Sequence, residues 1–262
     1  MPRARTSDGI TAHLVDALFD GSLRIGERLD LDELAARLGT GRTTVREALV
    51  PLERDGLVRV THHRGIFVAP FDASAVRDAF DLFGLLSALA FRRVAIRRPP
   101  ELLAALAELD EALASTTDVG EFELAALRFR RTVSLAAAGT HLRALLRSFS
   151  GLVPAATRLS IVDAMAEERS ALHAEFSAVC DGDPEVAAVA VLDHSVLTAD
   201  NAIRELRRRG VIDGDPARLD ERADHLDLVR RIDDRIGAGR LRRPRASWDG
   251  PTLVAVDWPR PT

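Results

Sequence analysis

The feature that most constrains this chain is a change of period at Pro70. From Asp72 to about Arg209 apolar residues recur at helical spacing almost throughout. Before Pro70 the elements are short and of two kinds. Ile10, Leu14 and Leu18 recur at helical spacing up to Gly21, and residues 24–29 read as a short turn. Asp30 then precedes a second helical set, Leu31, Leu34, Ala35 and Leu38, stopped by Gly39. A tight Thr40-Gly41 connection leads into a third helix over 42–56, with Val45, Leu49 and Leu52 as its buried stripe. Pro51 predicts a kink or a shortened end there. Two strand-sized runs follow, at 57–60 and 66–68, joined by the hairpin His62-His63-Arg64-Gly65. Pro70 ends the second run, and Asp72 or Ser74 is placed to cap the next helix.

Six long helices are expected beyond the joint, over about 74–97, 101–115, 119–138, 141–158, 164–180 and 184–209. The breaks are Pro99-Pro100, residues 115–118, Gly139-Thr140, the region from Pro154 to Ser160, and Asp181-Gly182-Asp183-Pro184. Asp118 and Glu121 have the spacing of a capping box. The last segment is less regular: Leu226, Val229, Ile232 and Ile236 suggest one more helix, stopped by Gly237 and Gly239. The phrase from Asp227 to Leu241 also looks like the chain's own first helix and turn, His13 to Leu23. The extra helix suits packing on the bundle, a dimer contact or a pocket lid. The expected fold class is mostly α: an N-terminal winged helix-turn-helix followed by an antiparallel all-helical bundle. The domains are expected at 1–70, 71–209 and 210–262, the last a C-terminal extension of unassigned role.

Two helices joined by a tight turn and followed by a two-stranded wing suit DNA, because a helix fits the major groove with its N-terminal residues at the base edges. Here that start carries Arg42, Thr43, Thr44 and Arg46. Arginine can bind guanine bidentately, and the free helix start adds a partial positive charge toward phosphate. The whole chain carries a formal charge of -4, with no lysine, which excludes a uniformly basic coat. The charge that matters at a contact is local. From Gly41 to Gly65 the five arginines, at 42, 46, 54, 59 and 64, outnumber three acids, Glu47, Glu53 and Asp55.

The stretch from Leu23 to Val68 resembles the DNA-binding domain of the GntR family of bacterial repressors. The resemblance rests on Gly26-Glu27-Arg28-Leu29, Leu34-Ala35-Ala36-Arg37-Leu38-Gly39, residues 42–49, residues 52–58 and Arg64-Gly65-Ile66-Phe67-Val68. It implies that Arg42, Thr43, Thr44 and Arg46 read the operator, and that His63, Arg64 and Gly65 approach the minor groove. A wing that only holds proteins together is the alternative, and the exposed arginines argue against it.

Ser74 to about Arg209 resembles, through weaker motifs, the helical effector (FCD) domain of the FadR subgroup. Asp81-Leu82-Phe83, Leu127-Arg128-Phe129-Arg130, Asp181-Gly182-Asp183 and His194 set the register. Many members of that subgroup hold a divalent metal with an Asp, a His four residues later and two further His, and the metal grips an organic acid. The register puts those positions at Ala126, Arg130, Leu172 and His194, so three of the four ligands are replaced. His173, one residue out of register, could restore one. Leu86 and Ala90 stand where an Arg and a Glu are usual. The expected pocket, Leu86, Ala126, Arg130, Leu172 and His194, is therefore without metal or other cofactor. Either Arg130 pairs directly with an acidic effector, or the cavity takes an apolar one. In the bland alternative Arg130 pairs with an acid such as Glu123 and His194 is a satisfied structural histidine.

The reading is a DNA-binding transcriptional regulator, not an enzyme. It is expected to be a repressor released by a small-molecule effector, an organic acid or an apolar metabolite. Its partners are a double-stranded operator with an inverted repeat and a second copy of itself. Two alternatives remain: a constitutive regulator with a decayed sensor, and a helical-domain enzyme. No glycine-rich phosphate loop, nucleophile elbow or paired-carboxylate motif is evident. The single cysteine, Cys180, excludes an internal disulfide framework and reads as a small buried hydrophobe. His13, His141 and His225 read as isolated surface or helix-end residues. No apolar run suits a membrane span and no secretory signal is evident, so a cytoplasmic location is expected.

Overall fold

The computed structural model describes residues 7–62, 64–137, 139–213 and 229–230. It begins with α1 (Ser7–Phe19), β1 (Arg28–Leu29), α2 (Leu31–Leu38), α3 (Arg42–Arg54), β2 (Val58–Thr61) and β3 (Gly65–Val68). Asp30 caps α2, accepting hydrogen bonds from the backbone N–H of Asp32 at 2.8 Å and Glu33 at 3.2 Å. Gly39 ends it at φ 63°, the left-handed conformation that releases the chain into the turn before α3. Helix α3 runs through Pro51 to Arg54, so the proline neither shortens nor breaks it.

The three strands form one antiparallel sheet in the order β1-β3-β2. Val58 lies opposite Val68 and Thr61 opposite Gly65, while Arg28 and Leu29 pair with Phe67 and Ile66 on the other edge of β3. The third strand corrects the sequence expectation of a turn over 24–29. Gly26 at φ 82° makes the bend, and its N–H donates to Val68 O at 3.0 Å, which brings Arg28 and Leu29 alongside β3.

The bundle follows as α4 (Ala73–Arg97), α5 (Pro100–Ser115), α6 (Val119–Ala137), α7 (Thr140–Ser148), α8 (Leu152–Asp181) and α9 (Pro184–Arg208). Of the two candidate caps for α4, Asp72 takes the role, accepting from Ala75 N–H at 3.0 Å. Asp118 likewise accepts from Glu121 N–H at 2.8 Å at the start of α6. Asp183 caps α9, whose first residue, Pro184, needs no donor. The expected break over 154–160 is absent. The chain instead turns between Ser148 and Leu152, and α8 then continues to Asp181 with one non-helical residue, Ala164 (φ -134°, ψ 35°). Pro154 sits in the first turn of α8, where a missing N–H costs nothing.

The described side chains pack into two apolar cores. The first joins α1, α2, α3 and the sheet to Ala73, Val76 and Phe80 of α4, Leu152 to Leu159 of α8 and Ala199 to Leu206 of α9. The second fills the far part of the bundle, around Phe91, Leu106, Phe122, Phe129, Leu172 and Val191. The winged N-terminal part, the reading head of the sequence expectation, therefore shares its core with one end of the bundle. Helix α9 is long and apolar enough to cross a membrane by composition, and most of that stretch is buried here. Of the extra helix expected over 226–236, only Val229 and Arg230 lie within the described residues; Val229 is buried in the second core.

Helices α4 and α9 cross closely at Gly84, where a Cβ would come 2.8 Å from Ser195 Oγ and 2.9 Å from its Cβ. Gly84→Ala is expected to force the two helices apart at a cost of about 1–3 kcal/mol, measured as a lowered denaturation midpoint with unchanged slope.

Candidate nucleic-acid interface and buried polar cluster

The recognition surface is built by local rules. Gly41 supplies no side-chain cap to α3, so the first N–H groups of the helix stay open toward solvent. Val45, Ala48, Leu49 and Leu52 take the core face. That turns Arg42, Thr43 and Arg46 outward, with Thr44 half-buried. Arg42 lies 3.1 Å from Asp32 of α2, an ion pair exposed on both sides and so worth little in stability. Its guanidinium is held near the helix start and stays available to a polyanion.

The wing adds Arg59 and Arg64, both exposed, and a groove lined by Arg59, Val60, Thr61, His62, Arg64 and Phe67. Gly65 has φ 110°, and a Cβ there would meet Arg28 Nε at 3.1 Å. Arg28 thus lies against the wing hairpin, a basic residue of this surface that the sequence did not single out. Its place depends on the β1–β3 pairing, which local periodicity does not reveal. His63 lies outside the described residues.

The expected effector-pocket residues come together only in part. Ala126 and Leu172 are buried, and Leu86 is half-buried. Arg130 of α6 and His194 of α9 meet, with Arg130 Nη2 2.8 Å from His194 Nδ1. Two acids that the sequence reading missed hold them. Glu175 Oε1 accepts from Arg130 Nη2 at 3.0 Å and lies 2.8 Å from His194 Nδ1. Glu168 Oε2 lies 2.8 Å from His194 Nε2, and Ser160 donates to its other oxygen. Both carboxylates, the imidazole and Ser160 are almost fully buried. The available signal was spacing: Glu168, Leu172 and Glu175 fall on one face of α8, a face otherwise apolar.

The expected alternative pair for Arg130 does not form. Glu123 faces Arg158 at 3.5 Å instead. His173 is also no candidate ligand of this cluster, because it points to the opposite side of α8 and pairs, largely exposed, with Asp110 at 2.9 Å. Cys180 is half-buried rather than buried.

Electrostatics favour a charged His194. Burial opposes the charge, but Glu175 and the hydrogen bonds to both glutamates outweigh burial and the opposing Arg130, so its pKa stands above the ordinary 6.5. Burial likewise pushes Glu168 up, but the hydrogen bond and the charge of His194, with the hydrogen bond from Ser160, prevail and hold it below the ordinary 4.5. An imidazolium donates Nδ1–H to Glu175 and Nε2–H to Glu168. Arg130 and His194 then share one acceptor, Glu175 Oε1, rather than bonding to each other. Two cations face two anions, and Arg130 Nη1 and Glu175 Oε2 are left buried without a partner. Arg130 also lies over the Phe83 ring, 6.0 Å from its centroid.

The profile described as "Bacterial regulatory proteins, gntR family" matches residues 6–68. An HTH-type transcriptional regulator of Mycobacterium tuberculosis is 33% identical over 215 residues, covering 79% of this chain and 85% of its own. Among solved structures, Escherichia coli McbR/YncC superposes with TM-score 0.52 at 22% identity, covering 78% of this chain and 98% of its own. Lar, which controls the expression of the Listeria monocytogenes agr system, superposes with TM-score 0.53 at 16% identity, covering 77% and 99%. At these identities the two structures speak to fold alone.

A raised histidine contributes stability below pH 6.5 and loses it as pH rises through its folded pKa; a lowered glutamate contributes above pH 4.5 and loses it as pH falls through its own. His194→Gln should therefore destabilise most between those two values, by about 3–5 kcal/mol because two buried carboxylates lose a partner. The deficit should shrink as pH rises further. Denaturant titrations of both proteins across pH check this, and a deficit that does not vary with pH would exclude an imidazolium.

Proposed function

The chain belongs to the GntR family of bacterial regulatory proteins, and on that premise we propose that it is a cytoplasmic, ligand-responsive repressor binding an inverted-repeat operator as a homodimer. DNA-binding transcriptional regulation follows from the family itself. The observation that carries the finer reading is the uncapped start of α3, with Arg42, Thr43, Thr44 and Arg46 beside a wing that carries Arg59 and Arg64 and has Arg28 of β1 against it. In this reading Arg42 and Arg46 contact base edges in the major groove and Thr43 and Thr44 contact phosphates or a thymine methyl. His63, Arg64 and Gly65 approach the minor groove. Large apolar side chains exposed on the bundle, among them Leu82, Leu127 and Val162, supply area for the second copy.

The bundle is the sensor in this reading, with Arg130 and His194 as its polar anchors among Leu86, Ala126 and Leu172. It works without metal. His194, which would be the one nitrogen ligand, has both ring nitrogens engaged by carboxylates, and Arg130 brings positive charge to the same place. The two carboxylates lie at opposite edges of the ring, so they do not converge with one ring nitrogen on a single cation. Among the described residues no group of three His, Cys, Asp or Glu is arranged to hold one. An acidic effector pairs with Arg130, whose Nη1 is unpaired. It lowers DNA affinity by binding one pose of the reading heads better than the other. A specific observation favours a second reading, a constitutive regulator: Glu175 already occupies Arg130.

The test starts from an operator selected in vitro from random duplexes. Arg42→Ala should weaken binding to that operator by about 1–3 kcal/mol and binding to random duplexes much less. Equal loss on both makes Arg42 a phosphate contact. Organic acids are then screened for release of the operator. Arg130→Ala should abolish the response to any acid found, and an unchanged response excludes direct pairing. Operator binding that no acid or apolar metabolite alters favours the constitutive regulator.

A further inference from the structure

Helix α8 touches both ends of the molecule and is interrupted between them. Before Ala164 its Leu152, Val153, Ala155, Ala156 and Leu159 lie in the core shared with the reading head. After Ala164 its Glu168 and Glu175 hold His194, and Leu172, Ala178 and Val179 lie in the second core. One side-chain hydrogen bond spans the interruption, from Ser160 to Glu168.

The start of α8 is fastened to the end of α3. Asp55, the C-cap of α3, accepts a hydrogen bond from the backbone N–H of Leu152 at 2.8 Å. Arg54 donates to the backbone oxygen of Ser148 and lies 3.4 Å from Asp55 Oδ1, so it closes the joint from the other side. Gly151 makes the approach possible, because a Cβ there would fall on Asp55 Oδ2, well inside the 3.0 Å that such atoms keep. Leu52 of α3 packs at the same place. Asp55 thus supplies the acceptor for an N–H that the first turn of α8 would otherwise leave unpaired.

We propose that Asp55 is a positioning residue that ties the operator-reading helix α3 to the first half of α8, so that the angle of α8 at Ala164, set by how Glu168 is held, decides how α3 is presented to DNA. The inference rests on the reading of the bundle as sensor. Opening the Glu168 contact swings the first half of α8 about Ala164, and the Asp55–Leu152 bond carries α3 with it. Without that bond, events in the bundle reach α3 only weakly, through the apolar core that the two helices share.

The test is a double-mutant cycle in the full chain, read as operator affinity by fluorescence anisotropy. Glu168→Gln should change operator affinity about fivefold or more, and by less than about twofold once Asp55→Ala is present. Ser160→Ala, which removes one hydrogen bond and no charge, replaces Glu168→Gln if the latter does not fold. The same fold-change in both backgrounds, or no change in either, overturns the proposal. Hydrogen exchange supplies a readout independent of DNA. Asp55→Ala and Gly151→Ala should each raise exchange about tenfold or more at residues 42–54 and 152–163 and leave residues 168–181 unchanged. Unchanged exchange in 152–163, or an equal rise along all of α8, also overturns it. A wild-type chain that binds DNA but responds to no change in the bundle fails the sensor reading, and the exchange pattern still decides the joint.

Discussion

Two carboxylates, Glu168 and Glu175, are buried on one face of α8 with Leu172 between them. A buried anion costs several kcal/mol unless a cation and hydrogen bonds reach it. Here the compensation comes from two other helices: Arg130 projects from α6 and His194 from α9. Apolar side chains tolerate sliding and repacking, whereas a carboxylate that needs its partner within 3 Å does not. The register of α6, α8 and α9 in the middle of the bundle is therefore set by charge, and the apolar cores close around it. Gly84 of α4, packed against Ser195 beside His194, extends the same constraint to the fourth helix.

The reading head inherits that constraint. Its core includes the first half of α8 and the last half of α9, so it rests on the helices that the charged cluster fixes. A head joined by a linker alone would sample many poses. This one is held by apolar contact along α8 and by polar bonds at the α3–α8 joint and at Arg158, which pairs with Asp16 of α1 at 3.4 Å. Change in the bundle therefore has a short mechanical route to the surface that meets DNA.

The head was largely legible because its signals are local. The Asp30 cap, the Gly39 stop and the apolar periods at Leu34–Leu38 and Val45–Leu52 each act within a few residues. What was missed is tertiary in origin. Arg28 and Leu29 form a strand only because Val68 on β3 accepts a bond from Gly26. Pro154 looked like a break, but a proline in a first turn displaces no hydrogen bond. In the bundle, Arg130 and His194 could be singled out from the register alone, yet their partners could not. Acids on a helix face solvent by default, and the departure of Glu168 and Glu175 from that default is decided by α6 and α9. The choice of Glu175 over Glu123 for Arg130 shows the same limit, since Glu123 is nearer in sequence and is taken by Arg158.

The balance of the cluster also governs how it can respond. A divalent ion would bring two positive charges from outside and leave when its ligands protonate. Arg130 and His194 bring positive charge on side chains that cannot leave. An anion that reaches Arg130 Nη2 competes with Glu175, whereas one that meets only the unpaired Nη1 does not. If it displaces Glu175, that carboxylate loses an arginine and keeps only His194, and the added negative charge has to be met by proton uptake or by movement of α8 toward solvent. In the proposed sensor, ligand binding at Arg130 Nη2 and the state of α8 are then one equilibrium, because the anion and Glu175 draw on the same guanidinium.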